Sequence, residues 1–203
     1  MNKKPGRPTG EATRRQIVDA ALATLKTDGF AGATSRAIAR AGRFNQALIF
    51  YHFGTLEGLL LAALDRTSEE RLERYRQVIA DAESVEELLA AVARLYSEDR
   101  EQGHVTVVAQ MIAGSVARPQ LARAMVERME PWIELSETAL EKGFRWLALP
   151  ELVPRRELAY AFVTFYLGVN LLTHLDRDRA RTDALFERLA SIAPLLPSTT
   201  IQP

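Results

Sequence analysis

Cysteine is absent from the 203 residues, which excludes disulfides, thiolate metal sites and a cysteine nucleophile. That absence fits a reducing compartment, and a cytoplasmic location is expected. Histidine is nearly as scarce: the three residues His52, His104 and His174 stand far apart, and no H-E-x-x-H metal helix is present. There is no glycine-rich phosphate loop and no G-x-S-x-G elbow, and the carboxylates are placed as helix-surface charges. Neither catalysis, nor a metal, nor a cofactor is expected. No run of alternating β-branched residues argues for a sheet. Met1 is followed by Asn2, Lys3, Lys4, Pro5 and Gly6 rather than by an apolar leader, so no signal peptide is expected. The one stretch approaching a bilayer span, Leu158 to Leu175, carries Thr164, Asn170, Thr173 and His174 and follows Arg155 and Arg156. It reads as a helix buried on all sides inside protein, with no membrane partner.

What is present is a 47% hydrophobic chain of ordinary globular composition. Its net charge of zero hides an asymmetry. Residues 1–54 hold nine cations (Lys3, Lys4, Arg7, Arg14, Arg15, Lys26, Arg36, Arg40, Arg43) against Glu11, Asp19 and Asp28, so this quarter is +6 and the rest is −6. A compact basic segment on an acidic body is the footprint of a nucleic-acid-binding module, although a solvated basic face gives the same count.

The periodicity is helical throughout. After a polar arm over Asn2–Gly10, Ile17, Val18, Ala21, Leu22 and Leu25 mark an amphipathic helix over 11–27, stopped at Asp28-Gly29. A short helix over 34–40 has Thr34 as its cap and Ala37, Ile38 and Ala41 as its inner face. Gly42 breaks the pattern and is free to take positive φ, and a second short helix follows over 45–51. Further helices are expected over 56–82, 84–99 (opened by a Ser84/Glu87 capping box), 104–116, 118–147, 155–175 and 182–192. The expected organisation is an arm at 1–10, a three-helix head at 11–54, a helical body at 55–196 and a disordered tail at 197–203. Two short helices around a tight turn let the first cross a DNA backbone while the second enters the major groove.

The residues narrow this reading. Gly29 to Gly42 (GFAGATSRAIARAG) and Asn45 to Gly54 (NQALIFYHFG) closely resemble the N-terminal signature of the TetR/AcrR family of bacterial regulators. The resemblance implies a homodimer that binds a palindromic double-stranded DNA operator and is released by a small-molecule effector, with repression as the default. It places Thr34, Ser35 and Arg36 at the start of the helix crossing the backbone, with the Thr34 hydroxyl on a phosphate. Asn45, Gln46 and Ala47 open the recognition helix, where amides pair with adenine edges and a methyl meets thymine. Tyr51 and His52 reach phosphates. Three departures stand out: the turn Gly42-Arg43-Phe44-Asn45 is one residue longer than usual, Phe50 replaces a phosphate-binding tyrosine, and Leu56 replaces a lysine. Arg43, Arg36, Arg40 and the arm Lys3, Lys4 and Arg7 are the cations that compensate.

In the body the resemblance implies a ligand pocket, with a four-helix dimer seam made by the last two helices of each subunit. Tyr96, His104, Val108, Met111, Met125, Trp132, Tyr160 and Thr164 are the pocket candidates, because each lies on a mostly apolar helix and brings a polar tip or an adaptable surface. Phe162, Phe165, Tyr166, Val169, Asn170, Leu185 and Leu189 are the seam candidates, with Asn170 open to either role. An all-helical module that binds a ligand or a protein partner without touching DNA is the alternative reading.

Overall fold

The computed structural model describes residues 10–147 and 152–176, with 180–182, 184, 185 and 188, except for the side chains of 100 and 174–176. The arm Lys3, Lys4, Arg7, most of the 182–192 helix including Leu189, and the tail lie outside the described residues. The expected all-α class holds: the described residues form nine helices and no strand. They are α1 (Gly10–Gly32), α2 (Ser35–Gly42), α3 (Ala47–Phe53), α4 (Leu56–Asp81), α5 (Val85–Glu101), α6 (His104–Ser115), α7 (Pro119–Glu127), α8 (Glu130–Leu147) and α9 (Arg155–Asp176). Among them no single helix is long and apolar enough to cross a membrane.

Helix α1 runs past Asp28-Gly29 instead of stopping there, but it bends at Gly29, whose φ of 70° and ψ of −176° suit only glycine. The bend carries Phe30 back against the body. Its backbone N–H donates to Gln110 Oε1 at 3.0 Å, and Arg118 lies over its ring, 4.9 Å from the centroid.

The single long helix expected over 118–147 is two helices. Pro131 is the reason: its ring clashes with the carbonyl four residues back, at Glu127, and it has no N–H to give. The chain leaves helix at Arg128 and Met129 and restarts at Glu130. Arg128 uses the break to grip Asp65 of α4 at 2.5 and 2.8 Å. Helix α5 starts as expected, with the Ser84 hydroxyl accepting from the Glu87 N–H at 3.1 Å. The Glu87 carboxylate accepts from Glu83 N–H, one residue earlier than in an ideal box.

One apolar core joins the head to the body. Ile17 and Leu25 of α1, Ile38 of α2 and Ile49 of α3 pack with Leu60 of α4, Met111 of α6 and Met125 of α7. A second cluster gathers Leu72, Tyr75, Ile79, Leu95 and Leu135 deeper in the body.

Candidate DNA interface and ligand cavity

Helix α2 is capped at both ends. Thr34 Oγ1 accepts from Ala37 N–H at 3.2 Å, which satisfies one free donor and leaves the hydroxyl proton to give. At the other end Phe44 N–H donates to Ala39 carbonyl and Arg43 N–H to Arg40 carbonyl, a Schellman closure. The left-handed residue of that closure is Arg43, at φ 54° and ψ 45°, and not Gly42. Gly42 is required for a different reason. A Cβ there would lie 2.2 Å from the Phe44 ring and 2.8 Å from Ala20 Cβ, so only glycine lets the turn sit on α1. Gln16 of α1 then donates to the Gly42 carbonyl at 2.8 Å. The buried face of α2 is Ile38 and Ala39, and Ala41 is exposed, one step around the helix from the expected face.

Helix α3 starts at Ala47, and Asn45 serves as the side-chain cap: its Oδ1 accepts from Ala47 N–H at 2.8 Å. Gln46 Nε2 donates to Ser35 Oγ at 2.9 Å, tying the two short helices and turning the Gln46 oxygen outward. Ile49 is buried, while Gln46, Ala47, Phe50 and Tyr51 form an exposed face, Tyr51 at 82%. His52 packs edge-on to Tyr51. Arg36, Arg40 and Arg43 are exposed, and none has an ion-pair partner among the described residues. Two other cations of the basic quarter, Lys26 and Arg14, are exposed but engaged within the protein. Lys26 Nζ donates to the Gln102 carbonyl at 2.8 Å, capping α5, and Arg14 stacks on the Phe53 ring.

The body encloses a cavity of about 1050 Å3 between α4, α5, α6, α8 and α9. Of the pocket candidates, Val108, Trp132, Tyr160 and Thr164 line it, as does Asn170. Tyr96 stands just behind, its hydroxyl donating to Asn170 Oδ1 at 3.0 Å. Met111 and Met125 are buried in the core shared with the head, because α6 and α7 turn those faces to α1. His104, at the start of α6, is held below its ordinary pKa by burial and then by the charge of Arg71.

Sequence reasoning missed the polar centre of this cavity. Arg71 of α4 is 4% exposed and lines it, with Nε 2.7 Å from Asp99 Oδ2. Asp99 of α5 is 0% exposed and also accepts from Arg74 at 2.8 Å and from the Tyr75 hydroxyl at 3.2 Å. Arg71 Nη2 donates to the Tyr166 hydroxyl at 3.4 Å, and its guanidinium lies 4.8 Å from the Trp132 centroid. Burial pushes the Tyr166 phenol up to about 12 and the Tyr75 phenol higher, so both stay protonated donors. A signal existed. Arg71 falls on the α4 stripe Leu60, Leu64, Thr67, Arg71, Tyr75, a charge where the spacing calls for an apolar residue.

Helix α9 shows different faces. Ala159, Val163 and Asn170 are buried within the body, with Tyr166 partly covered beside them. Phe162, Phe165 and Leu172 are exposed at 48%, 44% and 66%, with Val169 between them. Two of the seam candidates, Tyr166 and Asn170, therefore face inward, Phe165 and Val169 face outward, and Phe162 is exposed while also bordering the cavity. Leu185 is half-buried.

A head of three helices, two of them short and joined by a tight turn, set on a larger helical body, is a helix-turn-helix arrangement. Residues 17–63 match the family of bacterial regulatory proteins described as the tetR family. It is 26% identical over 112 residues to the HTH-type transcriptional regulator UidR of Escherichia coli K12, a match covering 55% of this chain and 56% of UidR. The match thus spans little more than half the length of that relative. In three dimensions it is similar to a TetR-family transcriptional regulator from Cytophaga hutchinsonii (TM-score 0.72, 16% identity, 97% of this chain and 100% of that one). It is also similar to the transcriptional regulator FadR of Bacillus subtilis in complex with stearoyl-CoA (TM-score 0.71, 16% identity, 88% and 96%).

Proposed function

We propose that this chain is a sequence-specific DNA-binding transcriptional regulator, a repressor acting as a homodimer on a palindromic operator and released when a small molecule fills the body cavity. The observation that carries the reading is the outward face of the head: amide and small side chains at the start of α3, flanked by Arg36, Arg40 and Arg43 with no acidic partners among the described residues. Unpaired surface arginines displace counterions from DNA, and the α3 face is narrow enough for a major groove. Thr34, Ser35, Tyr51 and His52 serve the phosphates, and Asn45, Gln46 and Ala47 the bases. The outward stripe Phe162, Phe165, Val169 on α9 serves the second subunit. The FadR complex with stearoyl-CoA supports the view that this fold can carry a small-molecule effector. Ligand-induced release is a population shift: the ligand favours a spacing of the two heads that no longer matches successive grooves. The chain acts inside the cell as a binding protein and not as a catalyst.

The test is a gel shift on the DNA upstream of the chain's own gene across a salt series. Sequence-selective binding that weakens steeply with salt is the expected result. Absence of binding at every salt concentration overturns the reading in favour of the module that binds only a partner or ligand. Within a positive result, Gln46→Ala lowers discrimination between operator and random DNA, whereas Arg43→Ala weakens both and reduces the logarithmic salt slope by about 1. Equal effects of the two on random DNA break the assignment of base and phosphate roles.

A further inference from the structure

The cavity has an apolar wall and a cationic centre, and the two together define a ligand chemistry. Its wall is built from residues such as Ile79, Leu88, Val92, Ile112, Ile133 and Leu140. Glu130 and Arg156, which also border it, pair with each other. Arg71 is different, because its counter-ion is shared. Asp99 does not line the cavity and stands behind Arg71; its Oδ2 serves Arg71 and Tyr75, and its Oδ1 serves Arg74. Arg71 directs Nε to Asp99 and Nη2 to Tyr166, which leaves Nη1 without a hydrogen-bond partner among the described residues. Tyr166 accepts from Arg71 and keeps its own proton, which has no acceptor among the described residues. Both groups border the cavity. A head group entering at Arg71 meets two converging donors, one of them charged; of the carboxylates on the wall, Glu130 is paired with Arg156 and Glu157 stands in the first turn of α9.

Resting on the reading of this cavity as the effector site, we propose that its ligand is an apolar carboxylate whose head group is received by Arg71 Nη1 and the Tyr166 hydroxyl. A charged acceptor gains more from a guanidinium than a neutral one does, because charge-assisted hydrogen bonds are about twice as strong. A cationic head is disfavoured twice: it meets the charge of Arg71, and the Trp132 face that could hold a cation is already covered by that guanidinium. The rest of the ligand is hydrocarbon, since the wall offers little else.

The experiment uses the full chain and three probes of equal length, dodecanoate, dodecan-1-ol and dodecylamine, each displacing the neutral dye N-phenyl-1-naphthylamine. Dodecanoate is expected to bind about tenfold more tightly than the alcohol, and the amine more weakly than either. In the double variant Arg71→Met, Asp99→Asn the preference for acid over alcohol collapses, while retained alcohol binding shows that the cavity is intact. Tyr166→Phe keeps the ring against Tyr96 and reduces the preference about threefold; it carries the test if the double variant does not fold. Equal binding of acid and alcohol by the native chain, or a preference that survives these variants, overturns the head-group assignment and leaves the effector site standing. Failure of all three probes to displace the dye overturns both.

Discussion

Head and body treat arginine in opposite ways. In the head Arg36, Arg40 and Arg43 stand in solvent without an ion-pair partner among the described residues, while in the body Arg71 is withdrawn to 4% exposure and tied to Asp99 and Tyr166. Charge left in solvent is screened by salt, and little folding energy rests on it. The body has invested stability in an ion pair that attraction alone does not repay, because removing two charges from water is costly. A cluster of this kind in an otherwise apolar interior is better explained by the specificity it confers than by the stability it adds.

That contrast can be broken experimentally, most severely in the body. Asp99→Ala strands Arg71 in the interior and is expected to cost about 3–5 kcal/mol in urea unfolding, whereas removing both partners for apolar residues restores most of it. If Asp99→Ala costs no more than a surface change, the pair is not energetically buried. The second measurement is alkaline. The folded-state Tyr166 pKa of about 12 exceeds its ordinary value of 10.0, so its contribution is complete below that ordinary value and is lost as pH rises through the folded one. Stability should therefore decline on the alkaline side, less steeply in Tyr166→Phe, and identical slopes would remove the phenol from the account. In the head, Gly42→Ala forces Phe44 or α1 to move and is expected to cost about 1–3 kcal/mol together with operator binding. The smallest effect is the most discriminating. Arg43→Gly relieves a left-handed backbone and should raise stability by about 1 kcal/mol while weakening DNA binding. A loss of both would mean that the side chain, and not the backbone, governs the turn.

The head was legible because its signals are local. Thr34 three residues before Ala37, and a glycine between two short apolar patterns, say nearly all that is needed. Even there the glycine's role was misplaced: Gly42 is needed for close approach, and Arg43 takes the positive φ, a choice that depends on where α1 lies. The body was legible only in outline. Pro131 divides one expected helix into two by simple sterics, a rule that the strong apolar spacing on either side had masked. The pairing of Arg71 with Asp99 joins two helices across 28 residues, and nothing local announces a partner so far away. Met111 and Met125 suited a pocket by residue type, but which face of α6 and α7 looks at the head is decided by tertiary packing.

The continuous core has a consequence for how such proteins can be recombined. Ile17, Ile38 and Ile49 of the head share one interior with Met111 and Met125, so the three head helices are not a cassette that ends at Gly54. A chimaera joined at that glycine would expose this interior, whereas one that carries the first turns of α4, and α6 and α7, along with the head transfers it whole. The exchangeable unit is discontinuous in the chain, which restricts the crossovers by which one head could be matched to another body.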